Sequence, residues 1–297
     1  MNTSGNEDGA LGLASSQRRL SWESDAGFVE VPSRLVLTTR GCCRAFTLIE
    51  LLTVIAVITV LAGMILPAVL AAKSRAKEAT CASNLRQFAL ALHLYAQDYK
   101  DELPPNSDGR DEALGATWVE GWLGLPGPDC TNTVYLRQSV LAPYLGQEVS
   151  VWQCPSARRP VKVSGVSQPR VRTVSLNCFL GSPVESPAAR TYRRLSDIRK
   201  PIPSEMFAFL DERVETINDG SFALQWDFSE QQPEGWILRD KPGTQHRSGA
   251  NLAFADAHVE RHRWRDKRTV NPPRDDAVMA GNPDILWLQQ HATWRSP

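Results

Sequence analysis

Residues 46–72 (FTLIELLTVIAVITVLAGMILPAVLAA) are almost wholly apolar, yet they carry one carboxylate, Glu50, near the amino end. Beyond Glu50, residues 51–72 contain no charged side chain, and a helix of that length crosses a hydrocarbon core of about 30 Å. The run is too long for the h-region of a cleaved secretory signal, which spans roughly 7–15 residues. A single membrane-spanning helix is therefore expected. A carboxylate at mid-bilayer costs about 2.5–3.5 kcal/mol, so Glu50 either snorkels to the headgroups or meets an opposite charge. Geometry alone leaves both readings open.

Past the apolar run, Leu85, Phe88, Ala89, Leu92, Tyr95, Ala96 and Tyr99 recur at three- and four-residue spacing, the mark of an amphipathic helix. No strong breaker lies between Ala68 and Lys100, so one helix is expected from Phe46 to about Lys100, roughly 80 Å long. Pro67 removes one backbone hydrogen bond within it. Leu103-Pro104-Pro105 ends the helix, and Asn106-Ser107-Asp108-Gly109 reads as a turn. Strands are expected over Val149–Cys154, Val171–Cys178 and Glu205–Leu210, and a hairpin over Ala250–Phe254 and His258–Trp264. Residues 155–168 and 181–187 read as loops. In the tail, Ile285–Leu288 fits a short docking helix that covers Trp287 and Leu288. About 200 residues outside the apolar helix and what precedes it suit one globular domain. The fold class is α+β, a long amino-terminal helix packed on a small antiparallel β-sheet.

The formal net charge is zero, which argues against a nucleic-acid partner, since phosphate binding needs a basic surface. Arg34, Arg40 and Arg44 precede the apolar run and Lys73, Arg75 and Lys77 follow it, so charge bias does not orient the helix. Cys42 and Cys43 lie before the run; Cys81, Cys130, Cys154 and Cys178 follow it and allow three pairings. The reading leans to Cys81 with Cys154, with free buried thiols as the alternative. Ser74-Arg75-Ala76-Lys77 has the S-x-x-K spacing but no companion motifs, and its basic residues suit phospholipid headgroups. Asp101, Asp108, Asp111 and Glu112 do not make a calcium loop, because Pro104 and Gly115 fall at its first and last ligand positions. No nucleotide, hydrolase or metalloprotease motif occurs, so neither an enzyme nor a cofactor is expected.

Two sets of motifs go further. Ala45-Phe46-Thr47-Leu48-Ile49-Glu50-Leu51, preceded by Arg40 and Arg44, resembles the processing site of type IV prepilins and type II secretion pseudopilins. The resemblance implies that a prepilin peptidase cuts between Ala45 and Phe46 and methylates the Phe46 amine. It also implies that Glu50 pairs with a neighbouring subunit's terminal amine; Pro67 matches the pilin pattern. Ala45 departs from it, standing where Gly is usual. The residues before the cut form a long leader whose true start stays open.

The second set resembles a pseudopilin-like group with a carboxy-terminal H-x9-DG signature. It comprises His246, Gly249, Asn251, Phe254, Asp256 and His258, with Ala257 in place of the signature Gly. Cys81–Gln87, Pro143–Gly146 and Trp152–Ser156 match the same group. Ala257 is expected to strain a type I′ turn, with Asp256 fixing the turn and His246 bonding to Asp256. A metal at His246, Asp256 and His258 is disfavoured, because one hairpin supplies all three and no fourth ligand stands out. No metal is expected.

The resemblance divides the chain into a leader (1–45), an assembly half of the long helix (46–72), its amphipathic half (73–100), a periplasmic α+β domain (101–265) and a tail (266–297). The implied role is a structural subunit of a type II secretion or type IV pilus-type pseudopilus in the bacterial inner membrane, with the carboxy-terminal domain periplasmic. Its partners would be the peptidase, other pseudopilin subunits and the lipid bilayer. The alternative is a single-pass surface module that binds polysaccharide or protein through exposed Trp118, Trp122 and Trp236.

Overall fold

In a computed structural model of the chain, residues 46–107, 115–124, 127–157, 160–273 and 276–295 are described. The proposed cut site at Ala45, the cysteines Cys42 and Cys43, and Asp108, Asp111 and Glu112 lie outside them. Two compact units are distinguished, Met1–Ile55 and Ala56–Pro297.

Helix α1 runs from Leu48 to Asp98, 51 residues, with Pro67 inside it. Every residue from Phe46 to Ala76 is exposed, and one helix among the described residues is long and apolar enough to cross a membrane. The side chain of Thr59 donates to the Ala56 carbonyl, so this hydroxyl is satisfied within the helix, as a bilayer requires. The distal half buries Cys81, Leu85, Phe88, Ala89, Leu92, Tyr95 and Ala96 on one stripe. Tyr99, expected on that stripe, is instead exposed and stacks on Tyr95 at 4.3 Å, because the helix ends just before it.

A short helix α2 (Val134–Gln138) precedes a two-stranded hairpin of β1 (Pro160–Val163) and β2 (Val166–Pro169). The main sheet holds β3 (Val174–Asn177), β4 (Phe207–Asp211), β5 (Ser221–Phe222), β6 (Gly249–Phe254) and β7 (Val259–Arg263) in the order β5-β3-β4-β6-β7. All its pairings are antiparallel except β3 with β5. Helices α3 (Lys267–Val270) and α4 (Pro283–Gln290) follow.

The three central strands are buried along their whole length, which requires cover on both faces. On one face the stripe of α1 packs on Leu176, Phe209 and Ala253, with Phe88 against Trp152 at 4.9 Å and Phe209 at 5.4 Å. On the other, Phe207, Leu210, Leu252 and Phe254 meet Phe222, Trp264 and the apolar face of α4. The tail thus docks through Ile285 and Leu288, as its apolar patch predicts. Asn282 caps α4 by accepting from the Asp284 and Ile285 amides.

Three local expectations are corrected. Val149–Cys154 is not a strand: Ser150–Trp152 form a 3-10 turn that sinks Val151 and Trp152 together into the core. The presumed loop at 155–168 contains β1 and most of β2, joined through Ser164 and Gly165, both with positive φ, which suits a tight hairpin. Trp118 and Trp236 are buried core residues, not the walls of an open groove.

Candidate functional site

Phe46 to Ile55 carry the first candidate site. Thr47 and Glu50 cap the start of α1 reciprocally: Glu50 Oε2 accepts from the Thr47 amide at 2.9 Å and the Thr47 hydroxyl at 2.7 Å. In return the Glu50 amide donates to Thr47 Oγ1 at 3.3 Å. This is a capping box, which satisfies two backbone donors at a helix start. Glu50 therefore has a local task that the sequence reading did not assign. Phe46 itself is 68% exposed.

The second site lies in the domain, where the signature residues divide into two places. The hairpin β6–β7 closes through Ala255, Asp256 and Ala257, with the Ala257 amide donating to the Phe254 carbonyl and the Phe254 amide to the His258 carbonyl. Only Ala257, at φ 70°, is left-handed there. The turn is thus a three-residue loop ending in one left-handed residue, not a type I′ turn, and the departure from Gly is confined to a single φ. Asp256 fixes it by accepting from the His258 amide at 3.1 Å and from His258 Nδ1 at 2.5 Å. Burial resists the Asp256 charge, but these His258 contacts hold its carboxyl below the usual range. The His258 ring stacks on Phe254 at 4.3 Å.

His246 does not reach Asp256, contrary to expectation. Arg247 and Ser248, at φ 54° and 59°, reverse the chain before β6 and turn His246 inward, where it is 3% exposed. Gly249 is required at the next step, because a Cβ there would lie 2.2 Å from the His262 carbonyl oxygen of β7. Asn251 ties β6 to α1 by donating to the Glu78 carbonyl at 3.1 Å. Arg247 and Arg261 both pair with the Glu78 carboxylate, at 2.9 and 3.4 Å.

Beneath these ties His246 Nε2 faces Cys154 Sγ at 3.3 Å, and Cys81 Sγ of α1 lies 2.6 Å from Asp211 Oδ2 at the end of β4. One donor atom from each of Cys81, Cys154, Asp211 and His246 falls within 4.8 Å of the others, and all four residues are buried. Cys81 and Cys154, favoured as a disulfide in the sequence, do come together, but as free thiols; the described cysteines Cys81, Cys130, Cys154 and Cys178 are all unbridged.

Thr173 orients this cluster, donating through its hydroxyl to Asp211 Oδ1 at 2.7 Å and accepting from the Cys154 amide at 2.8 Å. The contact with Cys81 holds the Cys154 thiol down at about 5 against burial, with His246 assisting. That same contact and burial push Cys81 up. Burial pushes Asp211 up to about 8, with the Cys154 charge adding to it. Burial opposes the His246 cation, yet the Cys154 sulfur outweighs it and raises His246. Asp211 was missed in the sequence, though a carboxylate closing the apolar run Phe207–Leu210 was a readable signal.

An exposed apolar helix start with a processing-type sequence, on a helix whose distal half packs on a mostly antiparallel sheet, defines a type IV pilin-like protein. Two family models match the chain accordingly: the prokaryotic N-terminal methylation motif over residues 40–66, and a protein of unknown function (DUF1559) over residues 71–192. No curated protein and no solved structure matches it. The methylation motif implies processing by a prepilin peptidase, and with the apolar helix it points to inner-membrane anchoring and an extracytoplasmic carboxy-terminal domain.

Proposed function

We propose that this chain is an assembly subunit of a type II secretion or type IV pilus-type pseudopilus. The peptidase removes residues 1–45, Phe46 becomes the methylated terminus, and subunits bundle through residues 46–72. The observation that carries this reading is the exposure of every residue from Phe46 to Ala76 on a helix whose only acid in that stretch is Glu50. Lipid tails cover the apolar side chains of a lone subunit but leave the carboxylate costly. A neighbour's Phe46 amine, one turn from its own Glu50, offsets that cost and fixes axial register. Pro67 frees a carbonyl mid-span, which lets the bundled helices adjust.

The capping box separates charge from helix stability in one experiment. Gln serves the same capping position, so Glu50→Gln keeps the helix start while removing the charge. Glu50→Val removes both. With either variant, peptidase processing should yield N-methyl-Phe46 by mass spectrometry, while crosslinking in membranes shows loss of co-assembly. Normal assembly by Glu50→Gln would reduce Glu50 to a cap and remove the pairing mechanism. A protein that keeps residues 1–45 and stays monomeric in native membranes would instead favour a single-pass binding module.

A further inference from the structure

We propose that Cys81, Cys154, Asp211 and His246 form a structural binding site for a divalent metal ion of borderline softness, zinc above all. The inference goes beyond the assembly reading and does not depend on it.

Sulfur, imidazole and carboxylate are all zinc ligands, and two, one and one of them make the four that a closed tetrahedral site needs. A tetrahedral ion with bonds of about 2.0–2.3 Å sets its donors roughly 3.3–3.8 Å apart. The four donor atoms here lie within 4.8 Å of one another, with Cys154 Sγ and His246 Nε2 at 3.3 Å. Cys81 Sγ and Asp211 Oδ2, at 2.6 Å, would move apart to admit the ion. Two sulfurs this close to an imidazole and a carboxylate also distinguish the cluster from the other buried thiols. Cys130, by contrast, reaches the Leu123 carbonyl at 3.3 Å.

The surroundings are those of a held site. Asp211 is 1% exposed, and a carboxylate so placed is costly without a positive partner. Thr173 fixes its second oxygen and the Cys154 backbone at once, the kind of outer contact that orients metal ligands. The ligands come from α1, the turn after Trp152, the end of β4 and the approach to β6, so one ion would cross-link segments 130 and 92 residues apart. Binding displaces to solvent whatever protons the four ligand groups still hold and changes no oxidation state.

Purified full-length protein in detergent, prepared without chelator, should carry about one zinc per chain by elemental mass spectrometry. Exchange with Co²⁺ should give thiolate-to-metal charge-transfer bands and the intense visible bands of tetrahedral cobalt. Cys81→Ser and His246→Ala should each abolish those bands, while Cys178→Ala, which alters a buried thiol outside the cluster, should keep them. The wild-type measurements stand even if a variant fails to fold. A Cys81–Cys154 disulfide in non-reducing peptide mapping, with no bound metal, would overturn the proposal. Reduced wild-type protein that takes up neither Zn²⁺ nor Co²⁺ at micromolar concentration would overturn it equally, and neither result would bear on methylation or assembly through residues 46–72.

Discussion

Ala257 shows how one residue can carry a cost that its neighbours outweigh. It holds φ 70° at the end of the β6–β7 turn, a conformation that disfavours a residue with a Cβ by about 1–2 kcal/mol. The turn survives because Asp256 braces the following backbone and because β6 and β7 pair along five positions beyond it. Ala257→Gly should therefore stabilise the domain, by about 0.5–1 kcal/mol once glycine's extra freedom in the unfolded chain is subtracted. A urea midpoint that rises with an unchanged slope would report this. A fall would mean that the Ala257 methyl, which packs against the core cluster under α1, outweighs the strain.

Between elements, the contact of β7 with α4 contains a titratable group. His262 stacks on Trp287 of α4 at 3.7 Å and meets Trp264 at a tilt, 4.8 Å between ring centres, and burial pushes its pKa down to about 4. Asp284 opposes that shift, while His291 and Arg265 add to it. Unfolded His262 takes a proton near pH 6.5 and the folded one does not until about pH 4, so stability falls as pH falls through that window. The ring is only half-buried, so solvent screening limits the effect to roughly 1–2 kcal/mol. Thermal melts from pH 7 to 4 should show a shallower decline for His262→Phe than for the wild type.

The same elements show what was readable beforehand. Helix α1, the hairpin β6–β7 and the docking of α4 announce themselves through periodicity and paired apolar runs. Ser150–Trp152 did not, because a short apolar run such as Val151-Trp152 looks the same in a strand and in a buried turn. The β1–β2 hairpin was hidden by its short strands and its Pro-, Ser- and Arg-rich surroundings, although Val161-Lys162-Val163 alternates and Ser164-Gly165 was a legible turn signal.

Across the whole molecule, the Cys81–Cys154–Asp211–His246 cluster escaped the sequence because each ligand sits in a different motif and only the sheet topology brings them together. The exposed and the packed parts of α1 are nonetheless separable. Residues 46–76 are exposed throughout, whereas contacts that hold the domain begin with Glu78 and its arginine pairs and continue through Cys81, Leu85, Phe88 and Ala89. A fragment of residues 73–297 should therefore fold without detergent and melt cooperatively, within a few degrees of the full chain's domain transition. A fragment starting at Leu90 should not, because it deletes Phe88 from the ring of Trp118, Trp152 and Phe209, and truncating one such core aromatic alone costs about 3–5 kcal/mol. Circular dichroism of the two fragments decides the point. A folded longer fragment would show that the apolar residues take no part in the domain's stability, whereas its collapse would mean that the exposed half of α1 also stabilises the domain.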